Sequence, residues 1–132
     1  MAKYVYPAIF EKDELGGFAV TFPDIENCFT QGNDLNDAIT MAEDVLNLIL
    51  WTLEDDKQPI PSPTPISQIQ TDGDSFVSYI QADTIAYRKK HSPKAVKKTL
   101  SIPQWMNQMA LDAHINFSQV LQDALAQKLN IA

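Results

Sequence analysis

Cysteine is nearly absent. Cys28 is the single one in 132 residues, so no disulfide can close within the chain, and a thiolate metal cluster would lack its ligands. Long apolar runs are missing too: nothing approaches the roughly 20 consecutive apolar residues that a bilayer crossing needs. Met1-Ala2-Lys3-Tyr4 leads into a strand-like pattern instead of the apolar core of a signal peptide. The expected compartment is the cytoplasm, with no membrane partner. Histidine is scarce, and His91 and His114 lie far apart without metal-ligand spacing, so neither a metal nor another cofactor is expected. What the chain does have is core material. A 45% hydrophobic, 20% charged composition suits one medium domain or two small ones and excludes fibrous, disordered and disulfide-stapled classes.

Positive charge is short supply only in part of the chain. Residues 1–87 hold three lysines (Lys3, Lys12, Lys57) against 15 carboxylates, a balance of −12. Residues 88–132 hold Arg88, Lys89, Lys90, Lys94, Lys97, Lys98 and Lys128 against Asp112 and Asp123, a balance of +5. The asymmetry predicts an acidic module followed by a basic one suited to phosphates. There is no internal repeat.

Tyr4 to Phe10 is rich in aromatic and β-branched residues and predicts a strand, with Pro7 placing it at an edge or a bulge. A polar turn over Glu11 to Gly17 leads to a second strand, with Phe18, Val20 and Phe22 on one face, and Cys28 to Gln31 predicts a short third. Short links between them suggest an antiparallel meander. Asp34 is an expected N-cap, and the three-to-four spacing of Leu35, Ala38, Ile39, Ala42, Val45, Leu46, Ile49, Leu50 and Leu53 predicts a helix that covers the sheet. Pro59, Pro61, Pro63 and Pro65 mark an extended crossing loop before a further strand over Ser75 to Ile80. A boundary is expected between Arg88 and Lys94, where the charge changes sign.

In the last segment, Leu100 and Ile102 alternate with Lys97, Thr99 and Ser101, which predicts a strand. Pro103 is expected at the first helical position of a helix carrying Trp105, Met106, Met109, Ala110 and Ala113. After a break at His114-Ile115, Asn116 is the expected N-cap of a second helix, with the apolar stripe Val120, Leu121, Ala124, Leu125 and Leu129. One strand and two short helices cannot bury their apolar faces alone, and a lone strand has unpaired backbone groups on both edges. A second copy supplies the economical partner, giving a two-stranded ribbon over four helices, with Trp105, Met106 and Met109 in the dimer core. Such a ribbon fits the DNA major groove with Lys97, Thr99 and Ser101 outward, and the helix start at Asn116, Phe117 and Ser118 suits a phosphate.

Strand, Pro103, helix, Asn116-Phe117-Ser118, helix resembles the ribbon-helix-helix fold of bacterial repressors. Tyr6 to Phe10, Gly17 to Val20, Phe22 to Ile25, Cys28 to Gly32 and the helix start at Asp37-Ala38 resemble the HicB antitoxin family. Together the two resemblances imply an α+β chain: a partial ribonuclease-H-like β-β-β-α-β domain at 1–90 that binds and masks a HicA-type toxin, a small basic protein that cleaves messenger RNA. A ribbon-helix-helix domain at 91–132 would dimerise, with higher assembly open, and bind the operon's own double-stranded operator as a repressor. The expected action is steric and electrostatic, not enzymatic.

Each candidate residue also has an ordinary reading. Lys97, Thr99 and Ser101 could be a solvated strand face; the ribbon context and the basic balance favour base or phosphate contact. Lys98 has the inward parity and either snorkels or meets a phosphate, and Ser118 is either a first-turn residue or a phosphate ligand. Asp24 and Glu26 invite a nuclease reading, but a two-metal nuclease needs several converging acidic ligands and no such set stands out. A solvated turn is the favoured reading for this pair, with toxin contact next. The alternative function is a ligand-sensing ribbon-helix-helix repressor with no toxin partner; a nuclease ranks third.

Overall fold

Tyr6, Ala8 and Phe10 alternate along strand β1 (Lys3–Lys12), and all three are buried. They meet the same parity in β2 (Phe18–Thr21) and β4 (Phe76–Asp83), where Phe10 lies opposite Val20 and Phe76, and Tyr6 opposite Ile80. With β3 (Phe29–Gly32) the strands form one antiparallel sheet in the order β3-β2-β1-β4. These elements come from a computed structural model that describes residues 3–131. The chain divides into two units, Met1–Pro93 and Lys94–Ala132, here called the front unit and the tail. Met1 and Ala2, part of the expected N-terminal run, lie outside the described residues, as does Ala132.

Helix α1 (Leu35–Asp55) is the second layer of the front unit. Asp34 caps it, accepting from the Asp37 N–H at 2.8 Å and so satisfying one orphan donor, while the Asp37 carboxylate accepts from the Asn33 N–H at 2.8 Å and fixes the residue before the cap. Ala38, Ala42, Leu46 and Leu50 form its buried stripe against Tyr6, Phe10, Val20, Phe22 and Ile80. The two alanines let the helix approach closely, and Gly32 completes that approach. A Cβ on Gly32 would fall 2.3 Å from Ala38 N and 2.4 Å from Ala38 Cα, backbone atoms that cannot swing away. Gly32→Ala is therefore expected to cost about 3 kcal/mol, at the upper end of overpacking effects. Urea unfolding checks this, and a midpoint equal to wild type would show that the helix can yield.

Three expectations need correction. β1 is a central strand, not an edge; Pro7 is tolerated because β2 ends at Thr21, opposite Ile9, so at Pro7 the strand has a ladder neighbour only on the β4 side. The expected β-β-β-α-β unit does not end at β4 but continues into helix α2 (Thr84–His91), capped by Asp83, whose carboxylate accepts from the Ala86 N–H at 3.1 Å. The front unit therefore reads β-β-β-α-β-α. Pro103 stands one residue before helix α3 (Gln104–Asp112), as its N-cap with ψ 141°, so its carbonyl accepts the first helical bond, from Asn107 N–H at 3.0 Å.

The proline-containing loop runs extended, with a single 3-10 turn at Ile66–Gln68. It is tied to the sheet at Pro61, whose carbonyl accepts from the Tyr6 hydroxyl, and to the turn after β2 at Thr64, which bonds Asp24.

In the tail, the chain leaves α3 through Ala113 and His114, and His114 has φ 56°. His114 N–H donates to Leu111 O at 3.1 Å and Ile115 N–H to Ala110 O at 3.0 Å, the paired bonds of a Schellman ending. Helix α4 (Phe117–Lys128) follows at once, with Asn116 accepting from the Gln119 N–H at 3.0 Å as expected for its cap. Residues 92–103 form no strand within the single chain. A strand is defined by its ladder, and this stretch finds no ladder partner in its own chain.

Candidate functional site

The tail places its candidate residues without burying its apolar ones. Among the described residues 94–131 none is buried: Val96 is 82% exposed, Trp105 63% and Met109 64%, with Leu100, Ile102, Met106, Val120 and Leu125 also exposed. Side chains of this size in so short a segment mark an interaction surface. Lys97, Thr99 and Ser101 are exposed in the segment before α3, on the opposite parity to Leu100 and Ile102. Asn116 is committed through its Oδ1 to capping α4, and Phe117 and Ser118 are the first two helical residues, so their N–H groups belong to the orphan set at a helix start.

The acidic pair of the front unit divides. Asp24 is half-buried and holds the crossing loop: its Oδ2 accepts from the Thr64 N–H at 2.9 Å and its Oδ1 from the Thr64 hydroxyl. Glu26 is exposed in the same turn. Among the described residues no group of three or more His, Cys, Asp or Glu side chains could hold a metal ion.

Sequence reasoning missed a polar cluster where α2 meets α1. Glu54 accepts from Tyr4 Oη at 2.6 Å, Thr84 Oγ1 at 3.0 Å and Arg88 Nη2 at 3.0 Å, and Arg88 Nη1 also meets Asp55 Oδ1 at 2.9 Å. The Arg88 guanidinium lies 5.2 Å from the centre of the Trp51 ring, and Tyr87 packs edge-on against Trp51 while its hydroxyl donates to Asp44 at 2.9 Å. The available signal was Asp83 in an N-cap position five residues before a basic last turn that starts at Arg88. Its consequence is a revised charge map: with Arg88, Lys89 and Lys90 on α2, residues 1–93 carry −9 and residues 94–132 carry +2.

Several front-unit groups are held neutral. Burial pushes the Cys28 thiol from 9.0 up to about 12. Tyr4 is raised by burial and then by its bond to Glu54, Tyr6 by burial and then by the Asp24 charge, and Tyr87 by burial and then by its bond to Asp44. A raised acid pKa means that the unfolded chain loses its proton first, so the stabilisation is complete below about pH 9 and is lost as pH climbs toward 12. Each group contributes at most ~1.4 kcal/mol per pH unit within its window. Urea midpoints are expected to fall steeply above pH 9, less steeply in Cys28→Ala; identical slopes in the two proteins would remove Cys28 from the account.

A family described as HicB-like antitoxins of bacterial toxin-antitoxin systems matches residues 6–129. The chain belongs to this family. Antitoxin HicB 1 of Photorhabdus laumondii subsp. laumondii is 39% identical over 67 residues, which is 51% of this chain and 43% of that protein, so the match spans less than half of the curated relative's length. Among solved structures, a chain of a toxin-antitoxin complex from Streptococcus pneumoniae is 30% identical with TM-score 0.62, covering 96% of this chain and 99% of its own. A chain of the HicA3 and HicB3 toxin-antitoxin complex is 27% identical with TM-score 0.50, covering 61% of this chain and 99% of its own.

The HicB-like match therefore extends through both units, and the α+β front unit and the two helices of the tail belong to one family pattern. Among the described residues no helix of this HicB-like chain is long and apolar enough to cross a membrane.

Proposed function

We propose that this HicB-like chain is a cytoplasmic antitoxin. Its front unit binds and neutralises a small HicA-type, messenger-RNA-cleaving toxin, and its tail dimerises as a ribbon-helix-helix that represses the chain's own operon. The observation that carries the reading is a family match that runs from residue 6 to residue 129. The related complex of HicA3 and HicB3 supports a toxin partner. The front unit, of the partial ribonuclease-H-like class, acts by masking and not by catalysis. A carboxylate excess of −9 over residues 1–93 attracts a basic partner, with Glu26 the exposed member of the Asp24–Glu26 turn. In the tail, Lys97, Thr99 and Ser101 face the major groove from both protomers, and the first turn of α4 at Asn116, Phe117 and Ser118 holds a backbone phosphate.

Growth is the direct test. Any small basic reading frame found beside this one is to be expressed in bacteria with and without the chain. Arrest relieved by the full chain, and by residues 1–93 cut after α2, is the expected result. A neighbour that is expressed and arrests growth but is not relieved would overturn the antitoxin reading. A neighbour with no toxicity would move the function to the ligand-sensing repressor.

A further inference from the structure

Between Asp83 and Asp112 the chain contains no carboxylate and six cations: Arg88, Lys89, Lys90, Lys94, Lys97 and Lys98. The structure separates them by what they do. Thr84, Tyr87, Arg88 and His91 recur at helical spacing, and this stripe of α2 is turned toward its own unit: Thr84 and Arg88 bind Glu54, Tyr87 packs on Trp51, and the His91 ring lies 4.1 Å from that of Tyr87. Successive helical residues are turned by about 100°, so anchoring the stripe points Lys89 and Lys90 outward, and both are exposed. They are fixed on a docked helix, with Arg88 spent on Glu54 and Asp55. Lys90 borders a groove with Lys3, Glu43 and Asp83, and the Asp83 carboxylate is occupied in capping α2.

Seven residues separate Lys90 from Lys97, a contour of at most ~25 Å. The α2 lysines are thus within reach of any duplex that Lys97 touches. Glu43 also borders that groove, but among the described residues the ion pairs of this helix are made by Arg88 alone. Exposed lysines on a helix that ends a few residues before a DNA-reading segment are suited to phosphate contact that positions without reading sequence.

We propose that Lys89 and Lys90 of the front unit, continued by Lys94, hold phosphates of the operator outside the stretch read by the ribbon. The front unit then extends the DNA footprint and is not carried passively on the tail. This inference rests on the operator-binding reading above. Each phosphate neutralised steepens the slope of log K against log salt by about 0.9, so two lysines on each of two protomers add up to about 3.6, or about 1.8 if one per protomer makes contact.

The test uses the full chain and the duplex from immediately upstream of the operon that encodes it, with binding measured across a salt series and the protected region mapped by hydroxyl-radical footprinting. Lys89→Ala/Lys90→Ala is expected to flatten the slope by about 1.8 to 3.6 and to shorten protection at both ends. Its thermal midpoint should stay within a degree or two of wild type, since a role confined to offsetting the α2 dipole would move stability instead. Lys97→Ala is the internal control: it should flatten the slope while leaving the outer protection in place. If the double variant keeps the wild-type slope and footprint while Lys97→Ala flattens the slope, this inference falls and operator binding by the tail stands. If the wild-type chain shows no salt-dependent binding to that duplex, operator binding falls and takes the inference with it.

Discussion

Ile102→Asp is expected to yield a monomer that no longer shifts operator DNA, with the front unit still folded. Within one chain the tail buries none of its described side chains, and Leu100 and Ile102 have the parity that a ribbon turns inward. In a symmetric dimer every substitution is present twice across the same interface. A carboxylate buried there without a partner costs about 3 kcal/mol or more, so two cost at least ~6 kcal/mol, and the dissociation constant should rise by about four decades. Sedimentation gives the oligomeric state and a gel shift gives the operator affinity. Ile102→Val, which removes one methylene, should cost only about 1 kcal/mol per copy and keep the dimer. An aspartate variant that stays dimeric and binds DNA at wild-type affinity would place this segment outside the interface and remove the ribbon from the account.

That prediction concerns a strand the single chain does not form, and the reason illustrates what a sequence can carry. The Leu100–Ile102 alternation encodes a surface, but a strand also needs a ladder, and the ladder partner here is intermolecular in the proposed dimer. Signals that are satisfied locally were legible: the Asp34 and Asn116 caps close on N–H groups three residues away, and the Ala38, Ala42, Leu46, Leu50 stripe is written in one helix. The turn of Asp24 was legible as a turn, but its bond to Thr64 spans 40 residues and has no periodic trace. Helix α2 was missed for a related cause. It packs mainly through polar groups, Thr84, Tyr87 and Arg88 against Glu54, Asp44 and Asp55, so no apolar stripe announced it and its Arg-Lys-Lys-His run read as charge alone. Counting Arg88 with the tail followed from that omission. The structure returns it to the front unit, where it is an internal counter-ion.

Glu54→Ala should therefore do more damage than its place near the end of an exposed-looking helix suggests. Three donors converge on this carboxylate from two other elements, Tyr4 in β1 and Thr84 and Arg88 in α2. Removing it leaves the Tyr4 hydroxyl without its acceptor and the Arg88 guanidinium with the Trp51 ring and one carboxylate, Asp55, whose side chain is 56% exposed and so offers a weaker, screened partner. A charged hydrogen bond contributes about 1.5–3 kcal/mol, and an acceptor shared with two hydroxyls adds to that, so a loss of about 3 kcal/mol is expected. For a unit of this size that lowers the thermal midpoint by about 10–20 °C. Glu54→Gln keeps an acceptor for Tyr4 and Thr84 but surrenders the ion pair, and should lose roughly a third as much. Hydrogen exchange separates local from global damage: amides of residues 84–91 should lose protection in Glu54→Ala well before those of β1 and α1. If α2 remains protected in that variant, the aromatic packing of Trp51 and Tyr87 is sufficient to hold the helix, and Glu54 is an accessory to a contact made by the rings.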